Sequence, residues 1–290
     1  MKTIQKTVLS LILCLTVVLP SAPVFSQSAK PVLNLAVFPR LNPLQSNRMY
    51  KPLTQYLSRQ LGVEVVLNIP KDFPTFWAGL KQGKYDIVHY NQYHYVKSRK
   101  EFGYQVIVKN IEFNESTIAG AIIVRADSHI KSIADLKGKH VVFGGGTKAM
   151  QSYIVARYLL LQGGLKPGDY SESFAKNPPN AILSAYFKQA QAAGAGDKVL
   201  RLKVVKEQID TGELRLLAKG EQLAHLPWAV KRTLPEKTKK KLQQLFLNMS
   251  KTADGKALLK KMQLDGFALA KDSDYDKHRH IIQKVLNESY

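Results

Sequence analysis

The densest concentration of anion-binding chemistry in the sequence is Phe143-Gly144-Gly145-Gly146-Thr147-Lys148, directly before an apolar-periodic stretch from Met150 to Gln162. Glycines let a backbone approach a ligand closely and adopt positive φ. A helix N-terminus exposes unpaired N–H groups and carries about half a positive charge. Thr147 adds a hydroxyl and Lys148 a full charge, and Gln151 and Ser152 lie one turn further on. The pattern suits a small oxyanion held by Gly145, Gly146, Thr147 and Lys148. It lacks the spacing of a nucleotide-binding phosphate loop. A tight turn with a solvated lysine is the plainer alternative.

A second concentration is Asp86-Ile87-Val88-His89-Tyr90-Asn91-Gln92-Tyr93-His94, at the end of a strand pattern. His89 and Tyr90 stand where an open α/β sheet presents its ligand. His89 and His94, with His225 near the return crossing, leave a metal-binding alternative open, although two histidines five apart are a weak metal signature. Phe73-Pro-Thr-Phe-Trp77 offers aromatic walls at a helix start, or simply core. Asn177-Pro-Pro-Asn180 offers amide side chains at another helix start, or simply a cap. His225-Leu-Pro-Trp228 is a further cleft candidate. No nucleophile elbow, zinc-protease HExxH or dinucleotide GxGxxG is present, so no catalytic residue, enzyme activity or cofactor is expected.

The elements that position these residues alternate between periods of about two and about 3.6. Strands are predicted over 32–38, 63–69, 85–90 and 104–109, with helices over 49–61, 74–82 and 91–102 between them. Residues 42–47 read as a polar turn. The alternation restarts with strands at 119–125 and 140–143, a helix at 150–162 and another from Asn177. Strands at 190–195 and 214–218 follow, then three helices at 235–249, 253–262 and 275–286. Two α/β units with mainly parallel sheets and a helical tail result.

The chain opens with Lys2 and Lys6, an apolar run from Val8 to Leu19, then Pro20 and Pro23. That is a secretory signal, with cleavage expected after Ser26. Cys14, the one cysteine, lies inside it, so the mature chain is expected to have no disulfide and no thiolate metal site. The whole chain carries 43 basic and 22 acidic residues, a net charge of +21. Such a charge attracts anions. The basic residues are scattered, with the densest run at Lys237–Lys241, and nucleic acid is not an expected partner.

Four stretches together resemble the phosphate/phosphite/phosphonate-type substrate-binding proteins of ABC transporters. They are Leu33–Gly62, Trp77–Tyr90, Ala121–Lys139 and Val141–Leu160. The resemblance implies a two-lobed type II periplasmic binding protein fold: two mainly parallel sheets with flanking helices, joined by a two-strand hinge. Lobe one would be 31–114 plus 221–290, and lobe two 115–220. A periplasmic monomer is implied that binds a small anionic ligand between its lobes and meets a permease in the inner membrane. A sensory protein reporting to a membrane histidine kinase is the competing role. The family's strand-end tyrosine matches Tyr90, while its tyrosine before the second helix falls on Phe73. Its Ser-Thr-Ser run falls on Ala149-Met150-Gln151, followed by Ser152. Its histidine falls on Asn177, the asparagine three further on matches Asn180, and an acidic residue becomes Gln191. Most ligand-gripping hydroxyls are thus replaced, which shifts the expected grip toward Lys148, Thr147 and the glycine amides.

Overall fold

Asn42 starts the first helix by accepting a hydrogen bond from the Gln45 amide at 2.9 Å, with Pro43 in the first turn. The computed structural model describes residues 31–290, and the predicted signal segment lies outside them. The first α/β run comprises β1 (Val32–Val37), α1 (Pro43–Leu61), β2 (Glu64–Asn68), α2 (Phe73–Lys81), β3 (Ile87–His89), α3 (Gln92–Phe102) and β4 (Gln105–Ile111). Helix α1 therefore begins inside the stretch read as a polar turn, because a capping Asn and a first-turn Pro form a start signal that polarity alone hides. Tyr50, Leu53, Tyr56 and Leu57 form its buried stripe, and Gly62 ends it at φ 72°.

The second run comprises β5 (Thr117–Ile118), β6 (Gly120–Arg125), β7 (His140–Gly144), a π-helical turn (Met150–Val155) continuing as α4 (Ala156–Gln162), and β8 (Ser171–Ala175). It continues with α5 (Pro178–Tyr186), β9 (Ala192–Gly196), the single turn α6 (Lys203–Lys206) and β10 (Leu214–Lys219). The chain then returns through β11 (Leu223–Ala224) and β12 (Pro227–Val230) to α7 (Glu236–Leu247), α8 (Ala253–Met262), β13 (Gly266–Leu269) and α9 (Asp276–Leu286). Strands β8, β11, β12 and β13 had no clear sequence signal. They are short, and β8 is polar and partly exposed.

The strands form two sheets, in the orders β13-β4-β12-β3-β1-β2 and β10-β6-β9-β7-β8. Strands β2, β1 and β3 run parallel, while β12 pairs antiparallel with both β3 and β4. In the second sheet β8, β7 and β9 are parallel and β6 is reversed. Most strands of each sheet thus share one direction, and the reversed ones are β6, which follows the outward crossing, β12, which follows the return, and β13 at the edge of the first sheet. The crossings between the sheets, β5 and β11, pair antiparallel as Ile118 with Leu223 and Thr117 with Ala224. This is the two-strand hinge.

One core lies on one face of the first sheet and includes Leu35, Ile87, Leu53, Trp228 and Phe246. A second begins on the other face with Val88, Phe76 and Tyr95. It runs through Ile281 and Ile282 of α9 into Ile122, Phe143 and Tyr153 of the second sheet. Helix α9 contacts α3 of the first unit and both the π-helical turn and α4 of the second. No helix among the described residues is long and apolar enough to cross a membrane.

Candidate functional site

Strand β7 delivers the glycine loop to the carboxyl edge of the second sheet. Gly144 is fixed by close packing, since a Cβ there would stand 2.3 Å from the Cα of Pro178 at the start of α5. Gly145 takes φ 94°, a conformation that favours glycine, and its amide donates to Ala175 O at 2.8 Å. Its N–H is therefore already used, contrary to its expected role as a ligand donor. The amides of Gly146, Thr147 and Lys148 find no backbone acceptor among the described residues. Ala149 occupies the cap position of the following helix and supplies no capping side chain. Tyr153 and Ile154 amides both donate to Ala149 O at 3.0 Å, which opens the first turn to π geometry.

Ser152, expected to face a ligand, instead donates its hydroxyl to Gly144 O. Chain geometry explains this, because the hydroxyl one turn into the helix folds back on the carbonyl of the strand end. Gln151 is buried, and neither of its side-chain amide atoms has a hydrogen-bond partner among the described residues. Such a group costs free energy unless a partner satisfies it, and that makes it a candidate ligand contact.

Across from the loop, Asn91 caps α3. Its Oδ1 accepts from the His94 amide at 2.9 Å and pairs with His94 Nδ1 at 2.8 Å. Its Nδ2 donates to Lys148 O at 3.1 Å, joining the first unit to the second. His94 stacks on Phe73 at 4.7 Å and 14°. Burial, with the charges of Lys97 and Lys148 nearby, pushes the His94 pKa down to about 3. Phe73 itself opens α2, capped by Asp72.

Lys148 crosses the same gap. Its Nζ lies 4.9 Å from the Tyr93 ring centroid and 2.5 Å from Glu288 Oε1. Glu288 Oε2 accepts from the Tyr93 and Tyr290 hydroxyls, each at 2.7 Å. Burial pushes the Glu288 carboxyl up, but the hydrogen bonds from Lys148, Tyr93 and Tyr290 outweigh it and hold the carboxyl below its ordinary value. The loop, the α3 start and the segment after α9 therefore meet around one carboxylate.

Several expected residues stand elsewhere. Tyr90 is fully buried among Phe76, Tyr95 and Tyr104 rather than facing the loop. Successive strand side chains alternate between faces, and Tyr90 falls on the core face with Val88. Its hydroxyl has no hydrogen-bond partner among the described residues, and burial raises its pKa well above the ordinary tyrosine value. His89 takes the other face, stacked on Trp228 at 4.4 Å with Nδ1 on Pro227 O at 3.2 Å. His225 Nδ1 accepts from the Leu226 amide at 2.8 Å, and its Nε2 lies 3.7 Å from the Glu112 carboxylate. His89 and His94 pack in different aromatic groups, so their sequence spacing does not make a joint site. Among the described residues no three His, Cys, Asp or Glu side chains gather as a metal cluster.

Asn177 caps α5, with Oδ1 accepting from the Asn180 amide at 2.9 Å. The Asn177 side-chain oxygen and the Asn180 backbone N–H thus satisfy each other in the cap, which does not use the Asn180 side chain. Gln191 Oε1 accepts from the His140 amide at 3.0 Å, at the opposite end of β7 from Gly144. Register puts it far along the strand from the loop. Asn91, Tyr93, Glu288 and Tyr290 join the site instead. The Asn91 cap was readable from its place at a strand-to-helix junction. Glu288 had no local signal, being 140 residues from Lys148.

A family model described as the periplasmic substrate-binding protein of a phosphonate ABC transporter matches residues 35–275. The chain belongs to this family. The phosphonates-binding periplasmic protein of Escherichia coli K12 is 24% identical over 273 residues, which cover 87% of this chain and 76% of that protein. PhnD1 of Prochlorococcus marinus, solved in complex with methylphosphonate, superposes with a TM-score of 0.76 at 20% identity, covering 88% of this chain and 98% of that one. A binding component of a phosphonate transporter from Pseudomonas aeruginosa gives 0.74 at 18% identity, over 89% and 87% of the two chains. These likenesses carry the type II periplasmic binding fold. As a member of the phosphonate-binding family, the chain is a substrate-binding transport protein of an ABC system. In its glycine loop Lys148 supplies a charge, while Ala149 and Met150 supply no hydroxyl.

Proposed function

We propose that this protein captures a small oxyanion of the phosphonate or phosphate class between two lobes, 31–114 plus 221–290 and 115–220, and delivers it to an inner-membrane permease without chemical turnover. Residues 1–26 direct export to the periplasm and are removed after Ser26. The anion site is the loop Gly146, Thr147 and Lys148 with Gln151, facing Asn91, Tyr93 and Phe73.

The observation that supports this reading best is the reach of Lys148 across the gap. Its ammonium engages a carboxylate together with the Tyr93 hydroxyl, which are the donor types an oxyanion requires. The uncapped helix start behind it adds free amides and a positive dipole end. A phosphonate group carries more charge and one more oxygen than that carboxylate, and so suits the same donors.

Calorimetry of the mature protein against phosphate, phosphite, methylphosphonate, sulfate and methanesulfonate tests the reading. One strong binder is expected. In a thermal scan it should add about 2.7 kcal/mol of stability at 100 times its Kd. No response to any oxyanion would sink the proposal.

A further inference from the structure

We propose that Glu288 is a tethered competitor at the anion site, so that its carboxylate must leave Lys148 before an external oxyanion can take that place. The inference rests on the assignment of Lys148 to the ligand site.

Three donors converge on this one carboxylate. Lys148 Nζ reaches Oε1, and the Tyr93 and Tyr290 hydroxyls reach Oε2. Lys148 belongs to the second unit and Tyr93 to the first, so Glu288 fills the position of a ligand that closes one unit on the other. The segment bearing it follows α9, which already packs on α3 and on the π-helical turn. The carboxylate is thus delivered at high local concentration by its tether. It stays accessible to exchange, with Lys148 and Glu288 side chains 40% and 29% exposed. An anion arriving beside a retained Glu288 would meet a like charge at close range, and this favours displacement over co-occupancy. Displacement also frees residues 287–290 from the first unit, coupling ligand arrival to release of that segment.

Tethered competition lowers the affinity of every oxyanion by one common factor. Glu288→Gln keeps the side-chain size and removes the charge. By calorimetry on the mature protein it should tighten methylphosphonate and inorganic phosphate alike, by about threefold to tenfold, the range for a partly exposed, charge-assisted contact. The same substitution in a Lys148→Ala background should give no gain. Tyr290→Phe removes one donor from the carboxylate and should tighten both probes by a smaller factor. A purely structural Glu288 would change melting temperature and leave affinity alone.

If Lys148→Ala weakens binding while Glu288→Gln and Tyr290→Phe leave it unchanged or weaker, tethered competition is overturned and the ligand site stands. If Lys148→Ala changes nothing, the site assignment fails and the competition with it. The same holds if neither probe binds the wild type or any variant.

Discussion

Two helices start side by side at the carboxyl edge of the second sheet, and they start differently. Helix α5 follows β8 and closes its own first turn, with Asn177 capping the Asn180 amide. The helix from Met150 follows β7 and has Ala149 where a capping oxygen would stand. Among the described residues its preceding loop keeps three amides without backbone acceptors, and Gln151 behind it has an unsatisfied amide side chain. A finished junction serves the fold. An unfinished one, with a lysine beside it, suits the anion site proposed for it. Helix α3 shows the finished type on the facing sheet, since Asn91 caps it and has an amide left over to hold Lys148 O.

The largest effect should come from the glycine joining the two starts. Gly144→Ala places a Cβ against the Pro178 backbone and should destabilise the protein by about 3 kcal/mol in urea unfolding. Gly146→Ala, with no heavy atom within 4 Å of the new Cβ, should change stability by less than about 0.5 kcal/mol. Equal costs would mean that the loop is as tightly built as the strand end.

The finished α3 start depends on a neutral His94. Burial holds its pKa down to about 3, against about 6.5 in an unfolded chain. Between those values the unfolded state binds the extra proton. His94 therefore contributes fully above about pH 6.5, and its contribution is lost as pH falls. The slope approaches about 1.4 kcal/mol per pH unit. Denaturant midpoints at pH 7 and pH 5 should show wild type losing about 2 kcal/mol more than His94→Gln. An equal loss would place the acid sensitivity elsewhere.

Lys148→Ala should weaken oxyanion binding by about 1.5 kcal/mol, the lower range for a hydrogen bond to a charged group, because the side chain is partly exposed. Asn177→Ala should cost about 1 kcal/mol of stability through the lost cap and leave oxyanion affinity unchanged. A binding defect in Asn177→Ala would break the distinction between the two helix starts.

The helices were legible because apolar spacing and caps are local. Leu53 and Leu57 announce α1, and Asn177-Pro-Pro announces α5. The glycine loop was equally visible, as was the charge of Lys148. Tyr90 was misplaced, and the resemblance aligned Gln191 with a ligand residue, because a strand-end residue takes its meaning from the face and the end of the strand it occupies. Alternation put Tyr90 with Val88 in the core, and register put Gln191 beside His140. Ser152 was misplaced because a hydroxyl satisfies the nearest carbonyl first.

By itself the sequence determined the order of the helices and of the more apolar strands, the two α/β units and the chemistry of the loop, since each depends on residues within a turn or a strand of one another. The tertiary structure alone decided which groups meet that loop. Asn91, Tyr93 and Glu288 reach Lys148 across 57, 55 and 140 positions of chain. Charge and hydrogen-bonding capacity are properties of single residues. Their partners are chosen by the packing of α3 and α9, through contacts that no local pattern encodes.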